Sequence, residues 1–170
     1  MDATGNTTRT TPRLGRWTID TSRSSITFRS RHLFGLMPVR GTFAIRGGTV
    51  DVAEPLAESS LRVEVDAASM DTGNDHRDGD VRSAKFLDTE RYPLFTFVSD
   101  RVDTTAVSGT LTACGVDRPA TLEVVESTVA AEEFTVRATT RVDRTEFGVT
   151  AARGMAGRYL DLTLEVTCVR

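Results

Sequence analysis

The amino-acid sequence predicts an all-β fold, a closed antiparallel up-and-down barrel of eight strands with one short helical insertion. Three observations predict it. Apolar and polar residues alternate with a period of two through most of the chain. Val and Thr, which suit a pleated sheet, are abundant. Turn-forming pairs such as Gly47-Gly48 and Cys114-Gly115 separate the alternating runs.

Closure of the sheet is expected because consecutive antiparallel strands need either a barrel or a second sheet to hide their edges. A two-sheet sandwich is the competing architecture, but sandwich strands are usually shorter than the runs seen here. An eight-stranded barrel has an interior just wide enough for its own side chains or for one small ligand. The sequence therefore favours a barrel whose interior holds either its own side chains or one small ligand.

The N-terminal segment 1–16 is rich in Thr and Arg and has almost no apolar residues, so it predicts a disordered tail. It lacks the apolar run of a signal peptide. No stretch of the chain approaches the roughly 18 apolar residues of a membrane span. We therefore expect a cytoplasmic protein whose single domain covers 17–170.

Eight or nine alternating runs are predicted as strands with one dry and one wet face. In one of them, Leu61, Val63 and Val65 alternate with charged residues. The last run repeats the pattern from Leu160 to Val166. The predicted strands are 17–20, 25–32, 38–52, 58–67, 94–103, 106–114, 119–129, 133–142 and 158–169.

One segment, 71–99, interrupts the strands. It opens with a polar turn, continues with a predicted helix over 76–88 and ends at the Tyr92-Pro93 breaker. Val81 and Leu87 lie with Ala84 in one stripe of that helix. A single helical insertion in an all-β protein usually covers another part of the fold. We therefore expect this insertion to cover part of the barrel.

Metal binding is not indicated by the acidic loop at the start of this insertion. An EF-hand loop needs acids at positions 1, 3 and 5 and Glu at position 12, but counting from Asp71 places Gly73 third and Arg82 twelfth. The loop carboxylates are predicted to cap the helix and its turns. Two His and two dispersed Cys do not supply a zinc site, and the sequence predicts no cofactor.

Catalysis and nucleic-acid binding also lack a sequence signal. There is no Gly-x-Ser-x-Gly motif, and neither Cys114 nor Cys168 neighbours a His in sequence. The two thiols are predicted to be buried or at a strand edge, because two cysteines make no disulfide framework. The Lys and Arg residues are scattered and the net charge is −3, so no basic surface for nucleic acid is expected.

Apolar side chains give the positive signal. Phe28, Phe43, Phe97 and Phe134 lie on the drier faces of their strands, and Phe95 shares the face of Phe97. These rings either fill the barrel or line a cavity. A second group surrounds the turn after the second predicted strand and the predicted helix; it comprises Phe34, Leu36, Met37, Phe86, Leu87 and Tyr92. Turns are normally polar, so the apolar turn predicts cover by the helical segment or by a ligand.

With these residues in view, the chain resembles the YceI-like family, lipocalin-like barrels associated with polyisoprenoid binding. The resemblance spans residues 17–170 and depends on the order and spacing of several short pieces. These are Trp17 to Asp20, Ser24 to Phe28, Arg31 to Leu33, Val39 to Phe43, 71–99, Gly109 to Thr112, Gly115 to Pro119 and Asp143 to Gly148.

The resemblance implies an eight-stranded barrel with an elongated apolar cavity, one mouth of which is closed or lined by the segment near 76–88. The implied ligand is a polyprenyl phosphate or quinone. By position, phenylalanines would line the cavity, and His32, Arg40 and Arg77 would form a polar mouth. The full set of predicted ligand-binding residues is Phe28, His32, Phe34, Leu36, Val39, Arg40, Phe43, Arg77, Phe86, Leu87, Tyr92, Phe95, Phe97, Phe134 and Phe147.

Three functions stay open at this point. The first is a carrier, storage or sequestering protein for an isoprenoid or similar amphiphilic lipid. The second is a lipid-modifying enzyme, which would need at least two titratable groups with shifted pKa values pointing into the cavity. The third is a filled-core barrel acting as a stress-related or protein-interaction module. The sequence leaves the oligomeric state open, a homodimer included.

Overall fold

The computed structural model describes residues 11–32, 36–152 and 156–170, with only the backbone of His32. Within these residues nine strands form one antiparallel sheet. The strands are β1 (Gly15–Ile19), β2 (Ser25–His32), β3 (Met37–Val52), β4 (Ser60–Asp71), β5 (Leu94–Val102), β6 (Ala106–Ala113), β7 (Val116–Val129), β8 (Glu133–Asp143) and β9 (Tyr159–Val169). The helix α1 (Asp75–Arg82) follows β4.

The sheet closes into a barrel because β3 pairs with β4 as well as with β2. Around the barrel the order is β2-β9-β8-β7-β6-β5-β4-β3. β1 continues the line of β2 and pairs with the far ends of β3 and β9, for example Trp17 opposite Val50 and Ile19 opposite Cys168. The predicted eight-stranded closed barrel is confirmed, and the sandwich alternative is wrong.

The two ends of the barrel differ. The helix end carries α1 and the 3-10 turn Arg144–Phe147. The turn end carries the 3-10 turn Leu56–Glu58 and the short links 103–105 and 130–132. None of the helices among the described residues is long and apolar enough to cross a membrane.

The interior face matches the predicted alternation. Phe28, Phe97 and Phe134 are 5–7% exposed, which confirms that they lie on dry faces. Near the turn end, Trp17 is fully buried and meets the Phe134 ring edge-on, with ring centroids 5.0 Å apart. Such edge-to-face pairs add stability beyond the area that they bury.

Several predicted boundaries differ from the structure. β4, predicted over 58–67, covers Ser60–Asp71. β1 begins at Gly15, two residues before its predicted start at residue 17, and the Trp17 indole N–H donates to the Arg13 carbonyl at 3.0 Å. β7 begins at Val116 rather than at 119. Cys114 and Gly115 both have positive φ, at 51° and 74°, and so form a two-residue turn that lets pairing resume at once.

The helix is shorter than predicted, since it ends at Arg82 rather than at 88. After it, the chain folds back in a series of turns, and the Leu87 N–H donates to the Val81 carbonyl at 2.9 Å. Asp88 adopts φ 49°, which no helix can continue through. The apolar residues after Ser83 therefore belong to a compact loop, and α1 itself is polar.

The acidic loop before α1 acts as predicted, through capping. The Asn74 side chain accepts from the Arg77 N–H at 3.0 Å, and the Asp71 carboxylate accepts from the Gly73 N–H at 2.8 Å. Asp78 is buried and accepts from both the backbone N–H and the hydroxyl of Thr72. These bonds fix α1 against the end of β4.

Candidate functional site

The barrel interior contains two apolar cavities that lie one behind the other. The helix-end cavity has a volume of about 150 Å³ and apolar walls. The turn-end cavity has a volume of about 180 Å³ and is almost entirely apolar. Val63, Leu122 and Leu164 line both cavities, so these three side chains form a neck between them. The neck residues come from β4, β7 and β9 and face inward by strand alternation.

The helix-end cavity is walled by inward residues of eight strands, β2 to β9. Half-buried aliphatic and aromatic side chains predominate, since they contact one another on one side and empty space on the other. The lining includes Ile26, Phe43, Val65, Phe95, Phe97, Leu111, Ala120, Val142, Leu160 and Leu162.

A row of aromatic rings crosses this region. The ring centroids of Phe28 and Phe43 are 5.3 Å apart, and those of Phe43 and Phe95 are 5.5 Å apart in an edge-on arrangement. Phe28 is buried behind Phe43 and does not line the cavity. The row therefore supports one wall with large, rigid side chains that cost little entropy to order.

The loop after α1 covers the helix end. Leu87 lines the cavity, and its carbonyl accepts from the Cys114 thiol at 3.5 Å. Tyr92 packs over Gly115 in the β6–β7 turn, close enough that a Cβ there would lie 2.9 Å from the ring. The predicted covering role of the insertion thus falls to the loop that follows the helix.

The opposite part of the cover is the turn after β8. The Asp143 carboxylate caps this turn by accepting from the Thr145 N–H at 3.0 Å. The turn directs Phe147 inward, where it is buried against the cavity. Val149 follows it and also lines the cavity.

Arg144 begins that turn and is the one cationic residue among the described residues that line the helix-end cavity. It is 9% exposed, and its guanidinium donates to the carbonyls of Gly157 and Val149 at 2.8 Å and of Ala156 at 3.3 Å. It also lies 5.8 Å from the centre of the Phe86 ring. The guanidinium therefore joins the turn to the chain leading into β9.

The cysteines are inert by position. Cys168 lines the turn-end cavity at 1% exposure, and burial raises the pKa of its thiol to about 12. Burial, with a smaller effect of Asp88, also raises the pKa of Cys114. Because the thiolate is the reactive form, neither residue is activated as a nucleophile.

Six of the predicted site residues line the two cavities. Five of them meet at the helix-end cavity, namely Phe43, Leu87, Phe95, Phe97 and Phe147. Phe134 lines the turn-end cavity. The structure therefore brings together the predicted aromatic residues of β3, β5 and the turn after β8.

Other predicted residues lie next to the cavities without lining them. Phe28 and Val39 are buried in the barrel wall, and Phe86 and Tyr92 pack in the helix-end loop. Arg77 is held by Thr72, whose hydroxyl accepts from its Nε at 2.9 Å.

The remaining predicted residues are not part of the described cavity. Leu36 is 80% exposed at the β2–β3 turn, and Arg40 points outward from β3. Arg40 faces solvent because its inward neighbours Val39 and Gly41 hold the dry face. Phe34 and the side chain of His32 lie outside the described part of the chain.

Sequence reasoning missed the neck residues Val63, Leu122 and Leu164 and the buried Arg144. The period-two alternation places the three neck residues inward and could have identified them. Nothing in the sequence separates Arg144 from the exposed arginines, because its burial depends on three carbonyls that only the fold brings near it.

Comparisons with known proteins agree with this fold. A sequence profile of the YceI-like domain matches residues 17–168. Protein YceI of Escherichia coli O6:H1 is 31% identical over 156 residues, which cover 85% of this chain and 81% of that protein. Among solved structures, BcnA of Burkholderia cenocepacia superposes with a TM-score of 0.75 at 20% identity, covering 88% of this chain and 98% of BcnA. A polyisoprenoid binding domain from Saccharophagus degradans, implicated in plant cell wall breakdown, superposes with a TM-score of 0.72 at 17% identity, covering 92% and 99%.

Proposed function

This chain belongs to the YceI-like family, and from that premise we propose that it binds the apolar tail of an isoprenoid or similar amphiphilic lipid inside the barrel. It acts as a carrier or sequestering protein. The observation that carries the proposal is the pair of apolar cavities in line along the barrel, joined at the neck of Val63, Leu122 and Leu164. The fold shared with a polyisoprenoid binding domain supports the same class of ligand.

The size of the cavities suggests the length of tail that is held. An apolar cavity of about 150 Å³ stays dry and accepts a guest the size of benzene. Each cavity here therefore suits about one five-carbon isoprene unit, and a longer tail must part the neck side chains. Burying one unit is worth roughly 3–4 kcal/mol at about 0.8 kcal/mol per CH₂. Ordering of the tail and loss of its free motion offset part of this gain.

An enzyme is less well supported. Arg144 and Cys114 are the only titratable residues among the described residues that line the helix-end cavity. Arg144 donates to three backbone carbonyls, and Cys114 has a raised pKa. An acid–base or nucleophilic mechanism needs a pair of activated groups, which this wall does not offer. A filled core is also less well supported, since both cavities are larger than a water site.

The test is titration of the purified protein with farnesol, an alcohol of three isoprene units, read by displacement of a neutral naphthylamine fluorophore. We expect saturable displacement by farnesol and weaker displacement by the shorter geraniol. Solvent extraction of the protein followed by mass spectrometry should also release an endogenous amphiphile. Absence of displacement together with a clean extract would overturn the proposal.

A matched pair of variants locates the binding. Leu122→Trp fills the neck, and we expect it to lower farnesol affinity by about tenfold, since overpacked neck atoms block the tail. Val125→Trp adds the same ring at a β7 residue that is 56% exposed, and we expect it to leave affinity unchanged. Equal effects of both variants would place the tail outside the barrel.

A further inference from the structure

The barrel wall has a gap between β7 and β8 toward the helix end. β7 pairs with β8 from Val129 back to Glu123, where Glu123 lies opposite Thr139. Beyond that point the two strands part. The remainder of β7 pairs only with β6, and the last residues of β8 pair only with β9.

Two residues explain why the wall opens there. Pro119 in β7 has no N–H to donate, and proline within a sheet is confined to edges and bulges. The Thr140 hydroxyl donates to the Thr121 carbonyl at 2.9 Å and so replaces a backbone bond at the base of the gap. Pro119 and Thr140 therefore account for the loss of pairing between β7 and β8.

A cleft of about 490 Å³ occupies the gap, more than either cavity inside the barrel. Its inner wall includes Leu111, Phe147 and Leu162, which also line the helix-end cavity. Its outer wall includes Thr121 and Thr163, which face outward. The cleft therefore runs from the apolar interior to a polar rim on the outside of the barrel.

The charged residues of the rim are mostly carboxylates. Glu123, Asp143, Glu146 and Asp161 line the cleft against the single cation Arg141. Arg141 donates from Nε and Nη2 to the two oxygens of Asp161, at 2.7 and 3.2 Å, so its charge is paired with that carboxylate.

The other three carboxylates of the rim differ in their pairing. Asp143 is paired with Arg158 at 2.9 Å. Glu123 and Glu146 form no hydrogen bond or ion pair with another described residue through their side chains. Arg29 and Arg31 also act electrostatically on Asp161, but they do not line the cleft. A phosphate inside the cleft would therefore meet four lining carboxylates and one arginine, whereas a hydroxyl or quinone carbonyl would meet threonine hydroxyls.

We propose that this gap is a lateral portal that holds the polar end of the bound amphiphile, and that its carboxylate-rich rim selects an uncharged alcohol or quinone head group over a phosphate. The inference rests on the proposed function, since it needs a tail in the barrel. It places the polar end at the side of the barrel between β7 and β8, away from Arg40 and Arg77.

The first experiment compares head groups on one tail. Farnesol and farnesyl phosphate are titrated into the wild-type protein at neutral pH by fluorophore displacement. We expect farnesol to bind about tenfold more tightly, because like charges brought together suppress the wrong partner. In the double variant Glu123→Gln, Glu146→Gln, the preference should fall, mainly through tighter binding of the phosphate.

The second experiment locates the head group directly. Thr121→Cys and Thr128→Cys are labelled with a coumarin maleimide, and a short-chain prenyl quinone is added as a contact quencher. Both side chains face outward from β7, but Thr128 lies opposite Thr135, where pairing with β8 is intact. We expect strong quenching at position 121 and little at position 128. Wild-type protein under the same conditions measures labelling of the native thiols.

The outcomes separate the two proposals. Failure of farnesol to displace the fluorophore would overturn both. Displacement by farnesol with equal or tighter binding of the phosphate would overturn the portal alone. Equal quenching at the two labelled positions would also overturn the portal, while leaving the barrel as the site of the tail.

Discussion

Arg144 shows how a charged side chain can be kept beside an apolar cavity. Its three carbonyl acceptors replace the water that burial removes, which is the condition for burying a charge at tolerable cost. The acceptors Val149, Ala156 and Gly157 lie after the turn that it begins. One residue therefore fixes the path of the chain that carries Phe147 into the cavity.

Arg144→Met is expected to destabilise the protein by about 1.5–3 kcal/mol, because it leaves carbonyls without their charged donor. Arg144→Lys should give an intermediate loss, since a lysine lacks the planar fork that spans several acceptors. Urea unfolding measures both. A free energy of unfolding for the methionine variant within about 0.5 kcal/mol of wild type, the range of ordinary surface substitutions, would contradict the assigned role.

Phe43→Asp is expected to cost several kcal/mol and to abolish farnesol binding, because it places an unpaired carboxylate in an apolar wall between Phe28 and Phe95. Thr42→Asp is the control, since Thr42 is the exposed neighbour on the same strand. Thermal melting and fluorophore displacement measure the two effects. Unchanged melting of Phe43→Asp would show that residue 43 does not face the interior.

At the scale of the element, the β5–β6 pair depends on a close approach of two backbones. Gly109 faces the bulge between Ser99 and Arg101, and a Cβ there would lie 2.2 Å from the Val98 carbonyl oxygen and 2.9 Å from the Ser99 Cα. These are backbone atoms that cannot rotate away. The strand therefore requires glycine for space at this position.

Gly109→Ala is expected to destabilise the barrel by about 2 kcal/mol or more, since the strands must separate to admit a methyl group. Gly79→Ala in α1 is the matched control, because a Cβ there meets nothing within 4 Å. It should stabilise the helix by about 0.5–1 kcal/mol, the difference in helix propensity. Comparable urea midpoints for the two variants would contradict the proposed crowding at Gly109.

The insertion between β4 and β5 shows the limit of helix prediction at this scale. The start of α1 was predicted one residue too late, and its N-cap is Asn74 rather than one of the loop carboxylates. Its end was predicted six residues too late, because the stripe of Val81, Ala84 and Leu87 suggested a longer helix. Leu87 points inward because it covers the helix-end cavity, not because it continues the helix.

At the scale of the whole molecule, several carboxylates carry pKa values below their usual range. Hydrogen bonds from the Ser22 and Arg23 side chains lower the pKa of Asp20 to about 2, against the effect of burial. The Arg141 side chain lowers the pKa of Asp161, and the Thr105 backbone N–H lowers that of Asp103. Each carboxylate therefore binds its proton less readily in the folded protein than in the unfolded chain.

The sign of the resulting pH dependence follows from linkage. The stabilisation is fully present above the unfolded Asp pKa of about 3.9 and is lost as the pH falls through the folded values, about 2 for Asp20. We expect the urea midpoint to fall steadily between pH 4 and pH 2. Asp20→Asn should flatten the profile relative to Asp100→Asn, an exposed residue of β5. A midpoint that stays constant over this range would contradict the expectation.

The strands and the inward parity could be predicted because both depend on alternation within one segment. β2 was predicted with its observed bounds, and β3, β5, β6, β8 and β9 within one residue at each end. The aromatic part of the helix-end cavity followed from the same parity, as Phe43, Phe95 and Phe97 show. Arg40 and Arg77 were chosen by charge and position in a family pattern, and neither lines the cavity.

By itself, the sequence determined which segments form most of the strands and which face of each strand is dry, and it favoured a closed sheet over a sandwich. These properties are local, because side chains of neighbouring strand residues point to opposite faces whatever else the chain does. The tertiary structure alone decided where the interior stays empty, where β7 parts from β8, and which arginine is buried. Those features depend on how side chains from distant strands share a fixed volume and on which backbone groups lack partners, and no single segment of the chain specifies either.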